Sequence, residues 1–138
     1  MKRKEYEGLV QPKYMEFFSD TSREDSEYMF FDGIHLPHYI GVAREFVCKI
    51  SSSTLMVDFD DLYNNVFKDH PKWLYVDSLE KLPDDFIQGL TATQVVTIFA
   101  ALRHKELFCT GFIKLCGKSG TIIRLLKQLK SELEREEM

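Results

Sequence analysis

The chain has 138 residues, 44% of them hydrophobic and 29% charged, the proportions of one ordinary globular domain. Those figures exclude a disordered, collagen-like or disulfide-scaffold chain. At this length roughly two thirds of the unfolded surface is buried without help from a metal or a disulfide. The formal charge of −4, from 18 basic and 22 acidic residues, disfavours non-specific nucleic-acid binding by the molecule as a whole.

Residues 1–27 are polar and charge-dense, broken by an aromatic stretch at 14–18. Pro12 suits the first turn of a short helix there, because a first-turn residue needs no N–H partner. Gly8 and residues 19–26 read as loops. Asp32-Gly33 between apolar runs suits a type I′ turn, with both central residues at positive φ, and predicts a small hairpin over residues 28–36. From Pro37 the pattern turns helical. Tyr39, Ala43, Phe46 and Ile50 share one face, and the run ends at Ser51-Ser52-Ser53. Asp58 is a good N-cap for a helix to Phe67. Trp73-Leu74-Tyr75-Val76 reads as a strand or an extended core segment. Ser78 and Pro83-Asp84-Asp85 open two short helical turns that reach Gly89.

Thr91-Ala92-Thr93-Gln94 is a capping box: the Thr hydroxyl takes a free N–H and Gln94 reaches back to the cap. Residues 95–102 are then apolar on almost every side, which predicts a buried central helix. A second piece runs from Phe108 to Gly117, with Phe112, Leu115 and Cys116 on one face. Thr121 caps the last helix, whose stripe is Ile122, Leu125, Leu126, Leu129 and Leu133.

The fold class is therefore mainly α: a single-domain bundle of five to seven helices with one small hairpin. Residues 1–27 form a polar N-terminal segment with a short helix. Residues 28–131 form the globular helical domain, and residues 132–138 an acidic frayed tail. No apolar run of signal-peptide length follows the basic start. The most apolar stretch falls far short of the ~20 residues of a membrane span. An odd count of three cysteines fits reduced thiols in a cytoplasm.

Charge is unevenly spread. Residues 103–130 carry Arg103, Lys105, Lys114, Lys118, Arg124, Lys127 and Lys130 against Glu106 alone, a net +6. Residues 5–102 carry seven basic and 17 acidic side chains, a net −10. On helical wheels these cations oppose the apolar stripes, so the last two helices would show water one basic side. Such a side can meet phosphates, or the acidic remainder of a second subunit in a dimer. The plain alternative is a solvated face, since Lys and Arg are good helix formers. The Leu stripe is too short for a coiled coil and reads as core.

Catalytic and metal-binding patterns are weak. His35 and His38 flank Pro37, which breaks the spacing that a zinc pair needs. Asp58, Asp60 and Asp61 are explained by a helix start. Cys109 lies five residues from His104, the best nucleophile–base pairing, while Cys48 and Cys116 fall on apolar faces and read as small core residues. No P-loop, G-x-G-x-x-G, G-x-S-x-G or H-E-x-x-H motif occurs.

The run Glu106-Leu107-Phe108 … Gly111 … Gly120-Thr121-Ile122 … Leu126-Lys127-Gln128-Leu129 resembles the signature of a widespread bacterial family of small proteins, known as a domain of unknown function. The resemblance covers about residues 37–130 and is specific over 104–129. Leu107 stands where the family has Arg, and His104 replaces a usual upstream Arg. The signature has a structural rationale. Phe108 would anchor the end of the central helix, and Gly111 would permit close helix approach. Gly120 would take a positive φ, and Glu106 would cap or pair locally.

The resulting expectation is a small bacterial or phage-borne protein that works by protein–protein interaction or regulation, the −10 of residues 5–102 suiting a basic surface on a host enzyme, without catalysis, cofactor or membrane. A homodimer through the acidic remainder is compatible with it. The alternatives are nucleic-acid binding through the seven cations, and an enzyme with a cysteine or metal site.

Overall fold

A computed structural model describes residues 2–34, 36–51 and 79–136. The expected helix from Asp58, the Trp73–Val76 segment, the Asp58, Asp60 and Asp61 carboxylates and His35 lie outside the described residues. Among the described residues there are eight helices and one two-stranded sheet. In chain order they are α1 (Lys2–Leu9), α2 (Pro12–Ser19), α3 (Asp25–Tyr28), β1 (Met29–Phe30), β2 (His38–Tyr39) and α4 (Gly41–Ser51). A 3-10 turn (Leu79–Lys81) precedes α5 (Asp84–Gln88), α6 (Ala92–Glu106), α7 (Phe112–Lys118) and α8 (Thr121–Glu136).

The mainly helical bundle with a small hairpin is what the sequence pattern specifies. Helix α6 is its rod. Gln94 N–H donates to Thr91 Oγ1 at 3.2 Å and Thr91 N–H donates to Gln94 Oε1 at 2.9 Å, the reciprocal capping box. Every residue from Val95 to Leu102 is buried. Helices α4, α7 and α8 pack around it, and α8 also meets α1, α2, α5 and α7. The α8 stripe of Ile122, Leu125, Leu126, Leu129 and Leu133 is buried. Burying a Leu of this kind contributes about 2 kcal/mol.

Aromatic side chains join the N-terminal helices to the rod. Phe18 meets Phe46 edge-on at 4.8 Å between ring centres, and Phe46 meets Phe99 at 5.5 Å. Tyr6, Leu9, Tyr14 and Phe17 belong to the same core as α6 and α8. Helices α1 and α2 are thus integrated into the bundle, and α8 runs on through Glu136 with Leu133 buried.

Four local expectations change. The hairpin pairs Met29 with Tyr39 and Phe30 with His38, and so reaches beyond the expected residue 36. Gly33 has φ +83°, but Asp32 does not share that sign. Instead Asp32 Oδ1 accepts the Ile34 N–H at 2.9 Å. An Asx turn thus replaces the I′ turn. Helix α4 starts at Gly41, four residues after Pro37, because Tyr39 is drawn into the strand pair. The Thr121 hydroxyl does not cap α8; it donates to Glu80 O at 2.7 Å.

Candidate functional site

The loop between α6 and α7 is organised by Glu106. Its Oε2 accepts the Gly111 N–H at 2.6 Å. Its Oε1 accepts the Ile113 N–H at 2.8 Å and the Tyr39 hydroxyl at 2.5 Å. The Tyr39 oxygen in turn accepts the Lys114 N–H at 3.0 Å. Three of the four free N–H groups at the start of α7 are thus satisfied from two side chains. Burial, then the bond to Glu106, pushes the Tyr39 hydroxyl pKa well up. Gly111 sits at φ +91° as the α7 N-cap. Its role is the left-handed turn, not the close helix approach expected from sequence: an added Cβ would meet only ordinary contacts, the nearest Lys114 Cε at 3.7 Å.

Gly120 takes φ +88° one residue beyond the α7 C-cap, as the signature implies. The close approach belongs to Gly117, where a Cβ would stand 2.6 Å from Tyr28 Oη. Phe108 is not an anchor. It is 76% exposed, and its ring leans on His104 at 5.5 Å. With Glu106 fixing Gly111 and Ile113, the chain between them bulges outward, and Leu107 and Phe108 ride on it.

The seven cations divide by partner. Lys114 and Lys118 both bridge Asp25, Lys114 at 3.3 Å. Lys118 and then Lys114 hold the Asp25 carboxyl below its usual range. Lys105 lies 4.5 Å over the Phe112 ring. Arg124 donates to Leu82 O at 2.6 Å and Asp84 Oδ1 at 2.7 Å. Lys127 and Lys130 are exposed on α8, and Arg103 is half-buried near the end of α6. The polar side of α8 therefore acts as a clasp. Thr121, Arg124 and Gln128 lie along one helical edge and take the carbonyls of Glu80, Leu82, Gln88 and Leu90. Those carbonyls belong to short turns that cannot satisfy themselves.

Cys116 is buried, and burial raises its thiol pKa strongly. Cys48, expected in the core, is exposed, as is Cys109. Cys48 follows Val47 on the outer side of α4, where the apolar spacing leaves it out of the Phe46–Ile50 face. Among the described residues no three His, Cys, Asp or Glu side chains group as metal ligands. No helix among them is long and apolar enough to cross a membrane.

What the sequence did not disclose is an apolar edge. Phe31 is 66% exposed, Ile34 85% and Leu36 87%, with Phe30 beside them on β1. Leu107 and Phe108 are the matching exposed pair on the α6–α7 loop. The two loops are neighbours: Met29, Phe30, Phe31 and Pro37 line one open groove with Thr110, Gly111 and Lys114. The sequence held one clue. The flanks of Asp32-Gly33 are apolar without alternation, and a two-residue strand pair cannot bury both of its faces.

Comparison with protein-family models, with curated proteins and with solved structures finds no match to this chain.

Proposed function

We propose that this chain is a non-catalytic protein-binding module whose contact surface is the edge formed by the hairpin loop and the α6–α7 loop. The observation that carries this reading is the exposure of Phe30, Phe31, Ile34 and Leu36 on the hairpin and of Leu107 and Phe108 on the α6–α7 loop, with Phe30 and Phe31 lining a groove shared with Thr110 and Gly111 of that second loop. Scattered exposed apolar side chains are ordinary, but contiguous ones mark interaction surfaces. Aromatic side chains at such an edge supply anchors of the kind that dominate binding energy.

The nucleic-acid alternative draws on the same seven cations, and three of them (Lys114, Lys118 and Arg124) already face Asp25 and Asp84. That pairing weighs against it, since phosphate binding needs charge still free to release counterions. Free thiols at Cys48, Cys109 and Cys116 fit a reducing compartment, and we place the protein in a bacterial cytoplasm. Membership of the family of unknown function stays part of this proposal. Glu106, Gly111 and Gly120 support it through the cap and turns around α7, while exposed Phe108 does not.

The test compares the wild-type chain with Phe31→Ser and Phe108→Ser in affinity capture with quantitative mass spectrometry. The expected result is a defined partner set lost from both variants while their melting curves match the wild type. Capture unaffected by either substitution overturns the reading, and a gel shift with duplex DNA at low salt that Phe31→Ser leaves intact favours the alternative.

A further inference from the structure

Helices α2 and α4 pack together beside an open pocket of about 430 Å³, lined among the described residues by Tyr14, Arg44, Glu45, Cys48 and Lys49. That volume suffices for a small ligand. Arg44 and Cys48 stand four residues apart on α4 and are neighbours on one face of the helix. Arg44 has no ion pair among the described residues. Glu45, the carboxylate of the lining, is tied to Lys13 at 2.6 Å. Tyr14 lines the same pocket with its side chain fully buried and its hydroxyl without a hydrogen-bond partner among the described residues. Burial pushes that hydroxyl's pKa up, and Lys13, Glu45 and Cys48 lie within electrostatic reach of it. A buried hydroxyl without a partner costs the fold stability, and an acceptor atom on a ligand relieves that cost. Cys109 is exposed as well but is not part of this lining.

We infer that Cys48 is a modification site for a small anionic disulfide of the glutathione class, with a carboxylate of the ligand held by Arg44 and another of its acceptor atoms bonded by the Tyr14 hydroxyl. The Cys48 sulfur attacks one sulfur of the disulfide. A new S–S bond forms to the protein, the old one breaks, and the departing sulfur leaves with the electron pair and takes up the proton that Cys48 gives up. Cys48 is oxidised and one half of the disulfide is reduced to its thiol. The adduct is a reversible cap that a free thiol removes. Reactive cysteines sit in accessible, electropositive surroundings, and the lining holds Arg44 and Lys49 against a carboxylate already engaged. The −4 of the whole chain does not exclude an anion here, because exposed charges more than about 10 Å away are screened at ordinary ionic strength. The site is independent of the proposed docking edge, whose groove shares none of these residues.

The test incubates the reduced full chain with oxidised glutathione, or with the dicationic disulfide cystamine, and follows the adducts at Cys48 and Cys109 by peptide mass spectrometry. Cys109 serves as the internal reference for an exposed thiol outside the pocket. With oxidised glutathione, Cys48 should react about fivefold or more faster than Cys109, the combined size of one charge pair and one hydrogen bond. With cystamine that preference should disappear. Arg44→Gln should slow the Cys48 reaction with oxidised glutathione about two- to fivefold and leave the cystamine rate undiminished. Tyr14→Phe should slow it about two- to tenfold while the melting curve stays at or above that of wild type, since the lost hydroxyl has no partner in the protein. Equal rates at Cys48 and Cys109 overturn the inference, as does either variant reacting with oxidised glutathione at the wild-type rate. A Cys48-linked dimer as the main product also overturns it and makes a second copy the partner of this thiol.

Discussion

The Tyr39 hydroxyl donates to Glu106 Oε1 across 67 residues of sequence, and the pair together holds the first turn of α7. A carboxylate that accepts three hydrogen bonds has no replacement of equal shape. Glu106→Ala should cost about 2–3 kcal/mol, because two backbone N–H groups and a phenol lose a charged acceptor. Glu106→Gln should cost nearly as much. Its amide NH₂ would face either the Gly111 N–H or the Ile113 N–H, donor against donor. Urea unfolding of both variants decides this. A Glu106→Gln chain as stable as wild type would show that the carboxylate is not a cap.

Gly117 and Tyr28 form the second fixed contact. A Cβ at 117 stands 2.6 Å from Tyr28 Oη and 3.0 Å from Cε1, against a fully buried ring. Gly117→Ala should therefore destabilise by about 1–3 kcal/mol, the usual cost of overpacking. The Tyr28 hydroxyl has no hydrogen-bond partner among the described residues. Removing it with Tyr28→Phe should cost little and should recover part of the Gly117→Ala loss. A double-mutant cycle measures the coupling, and simple additivity would contradict the contact.

The same hydroxyl sets an alkaline limit. Burial pushes the Tyr28 pKa up to about 12, against about 10 in an unfolded chain. Its neutral form is the one the fold accommodates. The contribution is complete below pH 10 and declines as pH rises from 10 to 12. Tyr28→Phe should thus flatten the loss of stability in that window, read as the unfolding midpoint in urea at pH 9, 10 and 11. The acid side has the opposite sign. Asp25 is held below its ordinary value of 3.8 by Lys118 and Lys114. Its contribution is present above that value and lost as pH falls below it, so Asp25→Asn should flatten the acid limb.

The bundle was legible because α6 and α8 satisfy local rules without outside help. The Thr91 box and the continuous 95–102 run leave one outcome for α6, and the Ile122 to Leu133 stripe leaves one for α8. The site was not legible, because its logic is long-range. Nothing near Glu106 in sequence announces that Tyr39 will arrive there. The basic spacing of Arg124 describes a solvent-facing position on a wheel, yet its guanidinium turns to the Leu82 carbonyl 42 residues away. Phe108 sat in an apolar run and was drawn outward by the cap beside it. A helical wheel assigns faces, but tertiary partners decide which polar groups stay in water.

Thiol chemistry separates the three cysteines by burial. Cys48 and Cys109 are exposed, while Cys116 is enclosed with its pKa raised. The thiolate is the reacting species. Two thiols should therefore react promptly with an aromatic disulfide reagent under native conditions, and the third only after denaturant is added. Three equivalent fast thiols would place Cys116 outside the core.

Arg124 decides whether the basic side of α8 is a tool or a strut. Its guanidinium meets Leu82 O, Asp84 Oδ1, Gly120 O and Thr121 Oγ1 in one fan. A planar fork can reach that set, and a single ammonium cannot. Arg124→Lys keeps the charge but should still lose about 1 kcal/mol, and Arg124→Ala about 1–2 kcal/mol, since the Leu82 carbonyl loses its side-chain donor. Hydrogen exchange should locate the damage: faster exchange in α5 and the adjoining turn, with α6 unchanged. Lys127→Ala and Lys130→Ala, at exposed positions of the same helix, should leave stability within about 0.5 kcal/mol. If Arg124→Lys is as stable as wild type and exchange in α5 does not quicken, the guanidinium is a surface charge and the clasp between α8 and α5 is held by Thr121 and Gln128 alone.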